Sequence, residues 1–335
     1  MRQNKSLASL SLDLDNQWSY MKTHGDVGWK SFPSYLDVVV PRVLDFLRRR
    51  EKKITVFIVG QDAALEKNSD ALAQISAAGH EIGNHSFNHE PWLHLYTPRQ
   101  IEEELALAEE HIERVTGQRP IGFRGPGFSL SQAVLDVLAR RGYQYDATTL
   151  PTFLGPLARA FYFMTAKLSE EQKRERALLF GSVKEGFRRV RQYRWQLSAG
   201  DLIEIPVTTM PLFRVPFHLS YVLYLSRVSP RLALGYFKLG IALCRLTGTQ
   251  PSVLLHPLDF LGADDVGELS FFPAMDMPGA RKMQIVGDAL DVLSSWFDVV
   301  PLREHANALR QTTALPLVLP RFREPIGRPI EPITE

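Results

Sequence analysis

A single cysteine, Cys244, stands in 335 residues, so no intrachain disulfide can form and a reducing compartment fits best. No apolar run approaches the roughly 18 to 20 residues that cross a bilayer. The amino-terminal MRQNKSLASLSLDLD has a basic tip, but Asp13 and Asp15 interrupt any apolar core, which argues against a cleaved signal. Internal repeats and low-complexity tracts are missing too. These absences set aside a disulfide scaffold, a membrane span and a repeat array, and they predict a cytoplasmic location. With 45% hydrophobic residues the chain can bury a sizeable core.

Acidic charge is scarce in one place. Residues 151–250 hold 15 of the 39 basic residues but only 6 of the 37 acidic ones, although the whole chain carries just +2. This block predicts an anionic surface or substrate nearby, and no nucleic-acid partner is expected. Around it, strand-like and helix-like patterns alternate. SLASLSLDLD alternates in period two, Tyr35 to Arg50 has helical spacing, and ITVFIVG is a buried-strand run. A helix closed by Gly79, the helix PRQIEEELALAEEHIERVTG, a strand PIGFRG, a helix from Ser131 to Arg141 and a strand YQYDATT follow. After an interruption, DLIEIPV, PSVLLHPL and FDVVPL resume the strands. Repeated βα units predict a parallel sheet or barrel, with chemistry on loops at the strands' carboxyl ends.

The interruption spans about 151–250. Its first half, KLSEEQKRERALLFGSVKEGFRRVRQYRW, reads as a charged helix or pair of helices. Its second half is apolar, with Arg214, Arg227, Arg231, Lys238 and Arg245 spaced through it, and Pro230 splits it in two. Two readings stand: a helical hairpin packed on the barrel, or an interfacial element whose basic residues snorkel. More apolar residues lie in 211–246 than one face can bury, so a membrane surface or an oligomer contact is expected there. The tail, LPLVLPRFREPIGRPIEPITE, is proline-rich and expected to be extended.

In HEIGNHSFNHE, His85 and His89 are four apart, just after a short strand Glu81–Asn84 and the helix ending at Gly79. If that turn is helical, both imidazoles lie on one face, within reach of one ion. Alone, such a pair more often caps or packs. SLDLDN places Asp13 and Asp15 two apart on a strand, on the same side, where two carboxylates repel unless a cation lies between them. One carboxylate with the two histidines makes a metal triad with open positions. The other is free to act as a base.

SLDLDN, HSFNH, FRGPGFS, YDATT and LLHP stand in the order and rough spacing of the five motifs of polysaccharide deacetylases. The chain resembles this NodB-homology group, carbohydrate esterase family four, over about 6–150 and 200–300. The resemblance implies an α/β fold, a distorted (β/α)7 barrel over 1–312, here with a helical insertion and followed by the 313–335 tail. It implies one divalent metal, usually zinc (Co2+, Mn2+ or Ni2+ being alternatives), and hydrolysis of an N-acyl group on a sugar. Carried over, Asp15, His85 and His89 are the metal ligands, Asp13 the base, Arg124 its brace and His256 the general acid. Asp146 would orient His256, the Gly127 N–H would serve the oxyanion, and Pro126 and Leu254 would line the substrate site. Two departures from the usual pattern stand out: Asn16 follows a spaced Asp-x-Asp, and Gly127 precedes Phe128 where an aromatic often follows the proline.

An amide resists water because water is a poor nucleophile and an amine a poor leaving group. A metal ion, a carboxylate base and a protonated histidine meet those needs. A zincin protease needs Glu after its first histidine, and position 86 is Ser. Two histidines and a carboxylate also hold Fe(II) in oxygenases, but Asp13, Arg124 and His256 favour hydrolysis. A barrel that merely binds glycan would be expected to have lost a ligand or the acid. For substrate, an amino sugar carried on a polyprenyl phosphate at the inner membrane face would suit the basic and apolar block. IEIPVTTMP is similar to a stretch in deformylases of lipid-linked aminoarabinose. A soluble nucleotide sugar or oligosaccharide is the alternative.

Overall fold

The alternation of residues 7–14 builds the central strand of the computed structural model, β1 (Leu7–Leu14). Ala8, Leu10, Leu12 and Leu14 pack into the main core with Val39, Val40, Val43 and Leu47 of a helix. Ser9, Ser11 and Asp13 point the other way, as a pleated strand requires. The structure describes residues 5–155, 183–311 and 315–322. Most of the expected charged helices of 167–195, and of the tail, lie outside these residues.

β1 pairs in parallel with β2 (Thr55–Ile58) and β8 (Ser252–Leu255), and at its start with β9 (Asp298–Val300). Beyond β2 the sheet runs through β3 (Glu81–Asn84), β4 (Gly122–Phe123), β5 (Tyr145–Asp146) and β7 (Gly200–Glu204), all parallel. β6 (Tyr193–Leu197) is antiparallel to β7, and β10 (Leu317–Val318) joins β6. Just past β7, Thr208 meets the β8 edge: its N–H donates to the Ser252 carbonyl (3.0 Å), and Ser252 N–H donates to its hydroxyl (2.7 Å). The fold is α/β, a mostly parallel sheet curled toward closure, as expected of a distorted barrel. Gly122 is required where Tyr145 crosses β4, since a Cβ there would lie 1.9 Å from the Tyr145 ring.

The helices are α1 (Gln17–His24), α2 (Leu36–Arg48), α3 (Gly60–Ala64), α4 (Ser69–Ala77), α5 (Pro98–Thr116) and α6 (Gln132–Arg140). Among the described residues after 183, the helices are α7 (Leu219–Ser226), α8 (Pro230–Thr247), α9 (Gly279–Trp296) and α10 (Leu302–Gln311). Local signals set their ends. Thr97 and Gln100 form a capping box on α5, with Pro98 in its first turn, and Gly117 closes it at φ 68°. α10 closes the strands' amino ends: Leu302, Ala306 and Leu309 pack with Phe57, Tyr145 and Ile203.

The described part of the stretch expected to be an insertion is packed into the barrel. Tyr193 to Trp195, read as the end of a helix, instead begin β6 beside β7. α7 and α8 form the packed hairpin, and Phe217, Leu219, Val222, Leu223, Phe237 and Ile241 are buried in the same core as β1. That burial removes most of the excess apolar surface expected of 211–246. What stays outside is Leu212 and Phe213 before the hairpin, and Tyr224, Val228, Leu232, Leu239 and Leu246 on it.

If α8 is core, Phe237→Ala should destabilise the whole fold by about 3–5 kcal/mol. Leu239→Ser, on the outer face, should change stability by less than about 0.5 kcal/mol. Urea unfolding measures both; a main transition unmoved by Phe237→Ala would mean that the hairpin unfolds as a separate unit.

Candidate metal centre and active site

The carboxyl ends of the parallel strands carry a ring of polar side chains. Asp13 and Asp15 come from the end of β1, His85 from β3, Arg124 from β4, Asp146 from β5, Glu204 from β7 and His256 from β8. The pairing of Leu12 with Leu255 sets His256 beside Asp13.

Asp15 Oδ1 lies 2.9 Å from His89 Nε2 and 3.3 Å from His85 Nε2. Their ligand atoms all fall within 4.8 Å of one another, and all three residues are buried. The histidines do not reach this arrangement on a helix. Ser86 (φ 59°) and His89 (φ 52°) turn left-handed, and the loop folds both rings inward. Four contacts hold it. Phe87 and Asn88 N–H both donate to Glu104 Oε2 (3.0 Å), Ser86 N–H to Asn84 Oδ1 (2.8 Å), and Gly60 N–H to the Ser86 carbonyl (2.8 Å). Just beyond the loop, Glu90 pairs with buried Lys22 of α1.

His85 Nδ1 lies 2.7 Å from the Arg124 carbonyl, which can only accept. Nδ1 therefore carries a proton, which leaves Nε2 as the atom turned toward Asp15. Burial alone would raise the Asp15 pKa, but His89 and His85 outweigh it and hold the carboxyl well below its usual range. Two imidazole nitrogens and an ionised carboxylate, converging and buried, fit a divalent ion.

Beside the cluster, fully buried Arg124 donates from Nη1 to Asp13 Oδ1 (2.7 Å) and Ser11 Oγ (2.8 Å), and from Nε to the Ala147 carbonyl (2.9 Å). Asp13 is thus fixed within the rim. Gly127 adopts φ 58° in the turn Pro126–Phe128, and a Cβ on it would sit 3.0 Å from the Pro91 side chain, next to the histidine loop. Pro126 is buried there, and Leu254 is fully buried below the rim, paired with Ser11.

Asp146 does not orient His256. Its carboxyl bonds to the Thr148 hydroxyl and to Glu204; burial, with Glu204 adding, drives its pKa well above the carboxylate range. His256 is held elsewhere: its N–H donates to Asp259 Oδ2 (2.8 Å), and its Nδ1 lies 3.1 Å from Ser220 Oγ. His218 stands 5.8 Å from its ring, and burial, then His256 and Arg124, push the His218 pKa down to about 3. Glu104, Glu204, His218, Ser220 and Asp259 escaped the sequence reading. For Glu204 a signal existed, a glutamate inside the buried-strand run DLIEIPV. Glu104 looks like any acid on an exposed helix.

Residues 26–145 match the family model for polysaccharide deacetylase. The chain is related to the polysaccharide deacetylases. The matched span holds His85, His89 and Arg124 and stops short of Asp13, Asp15 and His256, which the sheet brings to the same rim. A peptidoglycan deacetylase of Helicobacter pylori is 31% identical over 110 residues, 33% of this chain and 36% of that protein. The peptidoglycan-N-acetylmuramic acid deacetylase of Bacillus subtilis is 34% identical over 111 residues, 33% of this chain and 41% of that protein. The chain thus spans less than half the length of these relatives. A Mycobacterium smegmatis crystal structure described as a polysaccharide deacetylase covers 96% of both chains with a TM-score of 0.64 at 19% identity, a shared fold.

Metal content tests the cluster. Protein purified without chelator should carry one divalent ion per chain, and Asp15→Asn, His85→Ala or His89→Ala should lose it. Glu104→Gln keeps every ligand but loosens the loop, and should weaken the metal about 10- to 100-fold in chelator competition. Elemental analysis finding no metal in the wild type would refute the assignment.

Proposed function

We propose that the chain is a metal-dependent amide hydrolase that removes an acetyl or formyl group from the nitrogen of an amino sugar. The observation carrying this reading is the placement of an Asp13–Arg124 pair beside the Asp15–His85–His89 cluster, with His256 alongside on β8. A divalent ion bound there supplies Lewis-acid polarisation and acidifies water. Asp13, its carboxylate steered by Arg124 and Ser11, takes the proton of the attacking water. The N–H at Gly127 offers a donor to the developing oxyanion, an interaction worth about 3 kcal/mol where it is well aimed. His256 hands a proton to the departing amine. A carboxylic acid and a free amino sugar leave.

For the carrier of that sugar, we infer a lipid phosphate at an anionic membrane face, with the protein peripheral. No acidic residue occurs between Glu204 and Asp259. On the outside of α8, Arg231–Leu232, Lys238–Leu239 and Arg245–Leu246 recur every seven residues, all exposed, with Leu232, Leu239 and Leu246 at 53%, 51% and 80%. That is about two turns per repeat, so the pairs form one stripe. Each cation would gain roughly 1 kcal/mol near anionic headgroups. Among the described residues no helix is long and apolar enough to cross a membrane. The soluble nucleotide sugar or oligosaccharide remains the alternative, and an oligomer contact is the other use of the stripe.

Release of acetate or formate from lipid-linked, nucleotide-linked and oligomeric N-acyl amino sugars tests the chemistry. Asp13→Asn should keep its metal and lose at least about a hundredfold in rate, the lower bound for a general base. Equal metal loss in Asp13→Asn and Asp15→Asn would refute the division of roles. Replacing Leu232, Leu239 and Leu246 with Ser should abolish salt-sensitive binding to anionic vesicles and spare hydrolysis of a short soluble substrate. A stable wild-type dimer that ignores vesicles would make the stripe a subunit contact.

A further inference from the structure

His256 is anchored twice by a single buried carboxylate. Asp259, 1% exposed, accepts the main-chain N–H of His256 on Oδ2 (2.8 Å) and the hydroxyl proton of Ser220 on Oδ1 (3.0 Å). Ser220 Oγ in turn lies 3.1 Å from His256 Nδ1. A serine hydroxyl has one proton, and here the carboxylate takes it. The lone pair left on Oγ then faces Nδ1, a contact that becomes attractive once that nitrogen carries a proton, as it does in the cationic ring. Lys282, buried, donates to the carbonyls of Leu258 (2.9 Å) and Leu261 (2.7 Å), setting a cation against the same turn.

We propose that Ser220 and Asp259 are the positioning residues for His256, a relay from carboxylate through hydroxyl to ring, in the role expected of Asp146. The inference rests on the reading of His256 as the proton donor. In that step the C–N bond breaks and the amine nitrogen takes the proton from His256 Nε2. The imidazole is left neutral, its other proton still on Nδ1 facing Ser220. Asp259 remains a carboxylate throughout, and the proton from water stays with Asp13. What the relay contributes is the fixed ring orientation and the stabilisation of a cationic ring by a buried negative charge through one hydroxyl. Because Ser220 sits on α7, the hairpin supplies the middle of the relay, while the end of β8 and the turn after it supply both ends.

A merely structural Asp259 would cap the turn through the His256 N–H, and Ser220 would be dispensable. Ser220→Ala separates the two, because it leaves that cap intact. For an N-acyl amino sugar, Ser220→Ala should lower kcat about ten- to a hundredfold, within what general acid catalysis contributes, with KM and metal content unchanged. Turnover of an activated ester, whose leaving group needs no proton, should hardly change, and Ser220→Thr should restore most of the amide rate. Nitrogen-15 NMR of labelled histidines should show His256 with its proton on Nδ1 in the wild type and lose that preference in Ser220→Ala. Equal losses on amide and ester, or a Ser220→Ala protein with full amide activity, would overturn the relay. If the wild type releases no acyl group from any amino sugar, the proposed function fails; the NMR tautomer then decides the relay alone, and an Nε2–H ring refutes it.

Discussion

The rim is organised by one buried cation. The Arg124 guanidinium, fully enclosed, reaches from β4 to Asp13 and Ser11 on β1 and to the Ala147 carbonyl after β5, and its face lies 4.5 Å from Phe57 of β2. Its own carbonyl faces His85 Nδ1. A guanidinium out of water is costly unless its donors are matched, and removing a partner from such a pair typically costs about 3–5 kcal/mol. The strands must therefore stay in the register that keeps those acceptors in place. That same register holds Asp13 beside Arg124 and brings the Arg124 carbonyl to His85 Nδ1.

The barrel divides its polarity sharply. Toward the outer helices, β1 presents only Ala8 and three leucines. Toward the interior, buried Thr55, Glu81 and Tyr145 bond to one another, and the α10 N-terminus caps them: Leu302 N–H on Thr55 (2.7 Å) and Arg303 N–H on Glu81 (2.8 Å). Such a network is stable only when every member is paired. It ties α10 to the strands' amino ends, far from the rim. Stability and chemistry thus occupy opposite ends of the same strands, as expected of barrels of this kind.

The sequence revealed the local features well and the long-range ones poorly. Period-two alternation located β1, and the capping signals of Thr97, Pro98 and Gly117 located α5. The spacing of the two histidines suggested one ion, but on a helix; two left-handed residues and Glu104 make the turn instead, and no periodicity announces either. Asp146 was read as the partner of His256 because its motif resembled one. Only the packed structure shows it facing Glu204, while Asp259, three residues past His256, does the bonding. The hairpin was one of the two readings, but its exposed apolar surface was overestimated for a simpler reason. Counting apolar residues cannot tell which of them another element covers, and α7 and α8 pack on each other and on α9, with α7 also on β8.

The hairpin also joins parts that the chain keeps apart. On α7, Ser220 reaches His256, while Tyr224, one turn on, is 51% exposed under the Arg227 guanidinium. A carboxylate anywhere on these helices would work against both neighbours. Near the rim it would compete with Asp259 and Asp13 for Arg124 and the histidines; on the outer face it would repel an anionic surface. The run from residue 205 to 258 without a single acid satisfies both requirements at once. Its buried side is fixed by the core, its rim side by one serine, and its outer side by cations every two turns. Under the proposed docking to an anionic surface, the scarcity of acidic charge first noticed in the sequence would serve two faces of the same pair of helices.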